Sequence, residues 1–195
     1  MTIRIAMWSG PRNISTAMMR SFENRPDCTV VMFRGNVATR LAKLAAGDAD
    51  ATLLARAGLN RLDESGTGHP LAADEWLPAP GQGAIAIECR ADDAATRAVL
   101  SAIDDQPSRD AVFAERALLA GLGGNCHSPI AVLTTAEGAD LILRAAIYSP
   151  DGAEKVEASQ RFPAGDPAGP ARLAAELLNR APESVRVHFS GPERH

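Results

Sequence analysis

Gly121-Leu-Gly-Gly-Asn-Cys-His-Ser-Pro-Ile130 separates two rhythms of apolar residues. Before it, Val112, Ala114, Leu118, Leu119 and Leu122 make up much of one helical side, which predicts a helix over Ser108–Leu122. After it the period becomes two. That predicts strands over Ile130–Thr135, Leu141–Ser149 and Lys155–Phe162, parted by the turn sequences Glu-Gly-Ala-Asp and Ser-Pro-Asp-Gly. A helix over Pro170–Arg180 follows, with Pro170 suited to its first turn, and Ser184–Phe189 reads as an edge strand. Residues 107–195 therefore read as a C-terminal domain: a small three-stranded antiparallel sheet with helices on it.

Upstream the pattern alternates. Ile3–Trp8 reads as a buried strand, and Ser15 can cap a helix over Thr16–Asn24 that Arg25-Pro26 closes. Thr29–Phe33 is a second β-branched run, so strand–helix–strand implies parallel pairing. Val37, Leu41 and Leu44 mark a helix from Asn36 or Val37 to Leu44, ended by Gly47, and Asp50–Leu54 is a further strand candidate. This repeat argues for an α/β layer in residues 1–77. Asp63–Pro80 reads as linker and loop. Residues 78–106 form a crossing segment, with a strand over Gly83–Glu88 and a helix over Ala91–Ile103 whose Asp92 and Asp93 suit a helix start.

Apolar residues make up 46% of the 195, enough for a core, and aromatics only 4%, so aliphatic packing must dominate it. No run approaches the roughly 18 apolar residues of a membrane span. The N-terminus lacks a signal-peptide pattern, and the three cysteines (Cys28, Cys89, Cys126) are odd in number and widely spaced. These features favour a reducing cytoplasm. Net charge is −4 but uneven: nine Lys/Arg stand against four Asp/Glu through Leu62, then eleven against twenty. A basic first third suggests a small polycarboxylate or phosphate ligand. Nucleic acid is disfavoured, because no dense basic stripe interleaved with aromatics occurs. His69, His127, His188 and His195 have no metal-ligand spacing, so no metal site is expected.

Cys126 beside paired glycines is sterically open, yet a thiol needs a lowered pKa or a partner to be a good nucleophile. Arg34, Arg40 and Arg61 carry the donor fork that grips carboxylates. Arg34 precedes a helix start, where backbone N–H groups also favour anions. Arg40 lies six residues on, so its convergence with Arg34 depends on the loop between them. Gln82, in Gly81-Gln82-Gly83, reads by its flanking glycines as a plain turn.

Four segments recur in a familiar order: Phe-Arg-Gly-Asn-Val-Ala-Thr-Arg-Leu-Ala-Lys-Leu (33–44), Ala-Gly-Leu-Asn-Arg-Leu (57–62), Pro-Ala-Pro-Gly-Gln-Gly-Ala-Ile-Ala-Ile-Glu-Cys-Arg (78–90) and Gly-Gly-Asn-Cys-His-Ser-Pro-Ile (123–130). Over residues 25–195 the chain resembles the porphobilinogen deaminases, or hydroxymethylbilane synthases. The resemblance implies a partial α/β domain of periplasmic-binding-protein type, then the C-terminal domain. It implies a transferase of tetrapyrrole, porphyrin and heme biosynthesis that condenses porphobilinogen stepwise and releases ammonia. It also implies a covalent dipyrromethane cofactor on Cys126, with Arg34, Arg40 and Arg61 binding pyrrole acetates and propionates and Gln82 contacting substrate. Such enzymes are usually monomeric.

Two departures go with it. No segment matches the family's first domain, and none of the carboxylates matches the catalytic aspartate that the family carries there. The expectation is that this chain alone is inactive or impaired, binds pyrrole carboxylates at most, and self-associates through the face that domain would cover. Residues 5–22, Ile-Ala-Met-Trp-Ser-Gly-Pro-Arg-Asn-Ile-Ser-Thr-Ala-Met-Met-Arg-Ser-Phe, instead look like the start of a sulfotransferase-like protein. There Arg12, Ser15 and Thr16 could hold a phosphate or sulfonucleotide over residues 9–16. Residues 1–27 are thus expected to be a foreign strand–loop–helix, joined near Asn24–Asp27.

Overall fold

The computed structural model describes the backbone of residues 3–7 and the whole of residues 25–73, 75–125 and 127–191. The chain divides into two units, Met1–Trp76 with Tyr148–Glu154, and Leu77–Ile147 with Lys155–His195.

The first unit holds three parallel strands, β1 (Ile3–Met7), β2 (Cys28–Met32) and β3 (Ala51–Thr52), in the order β2-β1-β3. Ile3 to Met7 stand opposite Cys28 to Met32 in register, which is the parallel pairing the alternating pattern implied. The expected strand over Asp50–Leu54 shrinks to two residues, set against Ile5 and Ala6. The helix expected over Thr16–Asn24, and its Ser15 cap, lie outside the described residues. Helix α1 (Val37–Ala45) starts at Asn36, whose side chain accepts from the Thr39 N–H at 2.9 Å. A second helix, α2 (Arg56–Arg61), falls on the Ala-Gly-Leu-Asn-Arg segment, where six residues are too few to show a period. Phe33 and Ala49 form a small core with Val31 and Leu44 against it, and the Lys43 Nζ lies 5.5 Å from the Phe33 ring centroid.

The second unit carries the main core. Helix α3 (Ala94–Leu100) runs into a tight turn at Ser101–Ile103. It begins three residues later than expected, because Asp93 takes the cap position and accepts from the Thr96 N–H at 3.0 Å. Helix α4 (Gln106–Gly121) leads to β4 (Ile130–Glu137), β5 (Asp140–Tyr148) and β6 (Lys155–Pro163), in the order β4-β5-β6. The β4–β5 pair is antiparallel, with Val132 opposite Ala145. Helix α5 (Ala168–Arg180) lays Leu173, Ala174 and Leu177 on the sheet, where Leu118, Leu122, Val132, Leu143 and Ile147 are also fully buried. Two close approaches fix α5. A Cβ at Gly169 would stand 2.2 Å from the Phe162 ring, and one at Gly121 3.0 Å from the Ala174 Cβ.

Two expectations are corrected. Gly83–Glu88 forms no strand: among the described residues no strand pairs with it, and Ile85 is 92% exposed and Ile87 57%. The tail forms a short helix, α6 (Glu183–Arg186), instead of an edge strand. Val185 and Phe189 are buried while Val187 between them is 61% exposed, which fits a helical turn and not a strand face, where all three would lie together.

Candidate functional site

Helix α4 ends in a hydrogen-bonded lock. The Gly123 N–H reaches the Ala120 carbonyl at 2.9 Å and the Gly124 N–H reaches Leu119 at 2.9 Å, with Gly123 at φ +65°. This paired closure satisfies the last carbonyls of the helix and needs a left-handed residue after the cap, hence glycine. From there the chain turns through Asn125 and Ser128, which bind each other reciprocally. The Asn125 N–H donates to Ser128 Oγ at 2.9 Å, and the Ser128 N–H to the Asn125 carbonyl at 3.0 Å. The His127 N–H donates to Asn125 Oδ1 at 2.8 Å, and β4 opens at Ile130. Cys126 itself lies outside the described residues, but the residues on both sides of it are held.

The C-terminal segment straps this loop down. Ser190 Oγ donates to the Gly123 carbonyl at 3.1 Å, and the Gly191 N–H to the Leu122 carbonyl at 3.0 Å. A Cβ on Gly123 would stand 2.1 Å from the Gly191 carbonyl oxygen. The first glycine of the pair is therefore required twice, by conformation and by space.

The arginines occupy the first unit. Arg34 is exposed in the turn between β2 and α1, and its carbonyl accepts from Lys43 Nζ at 3.5 Å. Gly35 follows at φ +123°, where a Cβ would meet the Thr39 side chain at 2.6 Å. That turn brings Arg40 back, so its Nε donates to the Gly35 carbonyl at 3.0 Å, beside Arg34. Arg61 is exposed at the end of α2, one turn beyond Gly58, whose position faces Val37 of α1 at 3.9 Å. Among the described residues neither Arg34 nor Arg61 makes an ion pair, so both forks are available to an anion.

Gln82 belongs to the second unit and is exposed. It sits between Gly81 at φ +68° and Gly83 at φ +79°, and its N–H closes a turn on the Ala79 carbonyl at 3.0 Å. Below it lies Glu115 on α4, 8% exposed. Glu115 Oε2 accepts from the Gly81 N–H at 2.7 Å and Oε1 from the Thr134 N–H at 3.1 Å. Burial pushes its carboxyl above the usual range, while the Gly81 and Thr134 hydrogen bonds pull the other way. Sequence reading passed Glu115 over. Its sign was available, a carboxylate three residues before Leu118 on the apolar side of α4.

Among the described residues no cluster could hold a metal, and no helix is long and apolar enough to cross a membrane. His69, His127 and His188 are exposed, and His195 lies outside the described residues. Asp93 acts as the α3 cap, with Thr96 holding its carboxyl below the usual range.

Two family models match this chain. One, described as porphobilinogen deaminase, dipyromethane cofactor binding domain, covers residues 9–98; the other, porphobilinogen deaminase, C-terminal domain, covers residues 110–180. The chain belongs to the porphobilinogen deaminase family. A porphobilinogen deaminase of Sphingopyxis alaskensis is 54% identical over 168 residues, 85% of this chain and 52% of that protein. Those of Nitrobacter hamburgensis and Paracoccus denitrificans are 47% and 50% identical, over 86% and 81% of this chain and 54% and 51% of theirs. The chain thus spans about half the length of the curated relatives it matches. Arg34, Arg40, Arg61 and Gln82 fall within the first porphobilinogen deaminase match, and Cys126 and Glu115 within the second. The first match opens at residue 9, so it takes in most of the segment expected to be foreign, residues 9–16 included.

Proposed function

We propose that this chain is the cofactor-carrying part of a hydroxymethylbilane synthase, a cytoplasmic transferase of tetrapyrrole biosynthesis that condenses porphobilinogen into a linear tetrapyrrole with loss of ammonia. The observation that carries the reading is the locked loop around Cys126: glycines, a helix-end closure, a reciprocal turn and a C-terminal strap hold the residues flanking one thiol. Such a loop presents a side chain while fixing its backbone. Dipyrromethane, when bound there through a thioether, supplies the pyrrole end to which porphobilinogen is added. Its acetates and propionates suit the donor set of this chain, since Arg34 and Arg61 have no competing carboxylate among the described residues. In this reading Arg34, Arg40 and Arg61 bind and orient pyrrole carboxylates of cofactor and substrate, and Gln82 contributes a neutral contact to substrate. The parallel strands of the first unit suit a partial domain of periplasmic-binding-protein type.

A polypeptide of these 195 residues is proposed to bind pyrrole carboxylates without turning porphobilinogen over, because no carboxylate here matches the family's aspartate and coupling needs a proton-handling group. The exposed run from Ile85 to Ile103 favours self-association of this polypeptide: Val99 is 72% exposed and Ile103 66%.

Intact mass tests the central claim. Protein purified from a porphobilinogen-producing host is expected to carry the added mass of two linked pyrroles, and Cys126→Ser to lack it. An unmodified wild-type mass would remove the cofactor assignment, and hydroxymethylbilane in an assay of the purified polypeptide would remove the claim that it is inactive.

A further inference from the structure

The edge of β4 that faces away from β5 is guarded by two groups. The Val132 N–H donates to the Pro78 carbonyl at 2.6 Å, and two residues on, the Thr134 N–H donates to Glu115 at 3.1 Å. The same carboxylate then reaches the Gly81 N–H at 2.7 Å. Residues 78–81 are thus pinned at two points, by backbone at Pro78 and by a side chain at Gly81. Beyond the turn at Gly83, the segment Ile85–Cys89 has no such anchor among the described residues.

The chemistry of the pin is specific. Two N–H donors from segments far apart in the chain converge on one side chain, which must supply two acceptors. A carboxylate does so. A carboxamide has one acceptor and would turn its NH2 toward the other donor, and an aliphatic residue would leave both part-buried donors unpaired. Placing a carboxylate among Ala114 and Leu118 is costly unless it is hydrogen-bonded, so simple packing does not account for Glu115.

We propose that Glu115 is a positioning residue for ligand binding: by fixing the Gly81 N–H it sets the orientation of the Gly81–Gly83 turn, and with it the direction in which Gln82 is presented to a pyrrole substrate. The inference rests on the reading of Gln82 as a substrate contact given above.

The test uses the full 195-residue chain, with porphobilinogen as the probe in titration calorimetry and amide hydrogen exchange at Gly81 and Thr134 as a second readout. In the wild type both amides exchange slowly. In Glu115→Gln at least one of them exchanges about tenfold faster or more, the loss of one part-buried hydrogen bond. Porphobilinogen affinity falls in both Glu115→Gln and Gln82→Ala, and the double variant binds no more weakly than Gln82→Ala alone. A role confined to stability would lower the melting temperature without that non-additivity. Additive losses, or an unchanged affinity in Glu115→Gln beside a weakened Gln82→Ala, overturn the role of Glu115. An unchanged affinity in Gln82→Ala overturns the reading of Gln82 instead. Should Glu115→Gln not fold, Glu115→Asp, with two acceptors on a shorter arm, is read the same way. A Gly81 amide that exchanges freely in the wild type overturns the proposal outright.

Discussion

Gly123 shows how much one missing side chain can decide. Its φ of +65° and the Gly191 carbonyl 2.1 Å from any added Cβ oppose every other residue. Gly123→Ala is expected to destabilise the second unit by on the order of 1–3 kcal/mol in urea melts, through backbone strain and a displaced strap. Ser190→Ala, which removes only the 3.1 Å bond to the Gly123 carbonyl, should cost about 1 kcal/mol. Equal costs would show that the strap and not the glycine sets the loop. At this scale residue type names candidates only: Cys126 and the arginine forks stand as proposals through the longer motifs that hold them. What stayed hidden depended on which distant groups come to meet a side chain. Arg40 beside Arg34 follows from the turn at Gly35, and Glu115 between Gly81 and Thr134 from the packing of three segments.

Helix α4 is set at its start by Asp105, whose side chain accepts from the Ser108 N–H at 3.0 Å. The Ser108 hydroxyl and N–H hold the Asp105 carboxyl below the ordinary carboxylate range. The folded state therefore favours the charged form. Its stabilisation is complete above the unfolded-chain value and disappears as pH falls through the lowered folded one. Asp105→Ala should accordingly lower the melting temperature at neutral pH, and the gap to wild type should close in acid. Asp105→Asn, a neutral cap, should give a stability without that acid dependence; a gap that persists at low pH would mean the carboxylate charge is not what the helix uses. Strands β4, β5 and β6 came within two residues of expectation at either end, with burial alternating through much of β5 and β6 and three buried residues opening β4. The tail failed as a strand by its burial pattern, whereas Gly83–Glu88 finds no strand to pair with among the described residues, and periodicity says nothing about neighbours.

Across the whole molecule, apolar side chains are not evenly covered. The second unit buries a continuous core from Ala114 to Phe189, whereas Ile85, Ile87, Val99 and Ile103 stand more than half exposed. Light scattering should find the 195-residue polypeptide associating as concentration rises, and Ile85→Lys with Ile87→Lys should return it to a monomer. A monomer at every concentration would remove the proposed self-association. The parallel pairing was legible in the strand–helix–strand order upstream, and the antiparallel sheet in the period of two that follows residue 130. The guard on β4 has a further consequence, for synthesis. Pro78, Gly81 and Glu115 leave the ribosome before Val132 and Thr134 do, so the sheet's open edge never exists in a nascent chain that still lacks the groups that cover it. Vectorial translation thus supplies the chaperoning of that edge from within the chain itself.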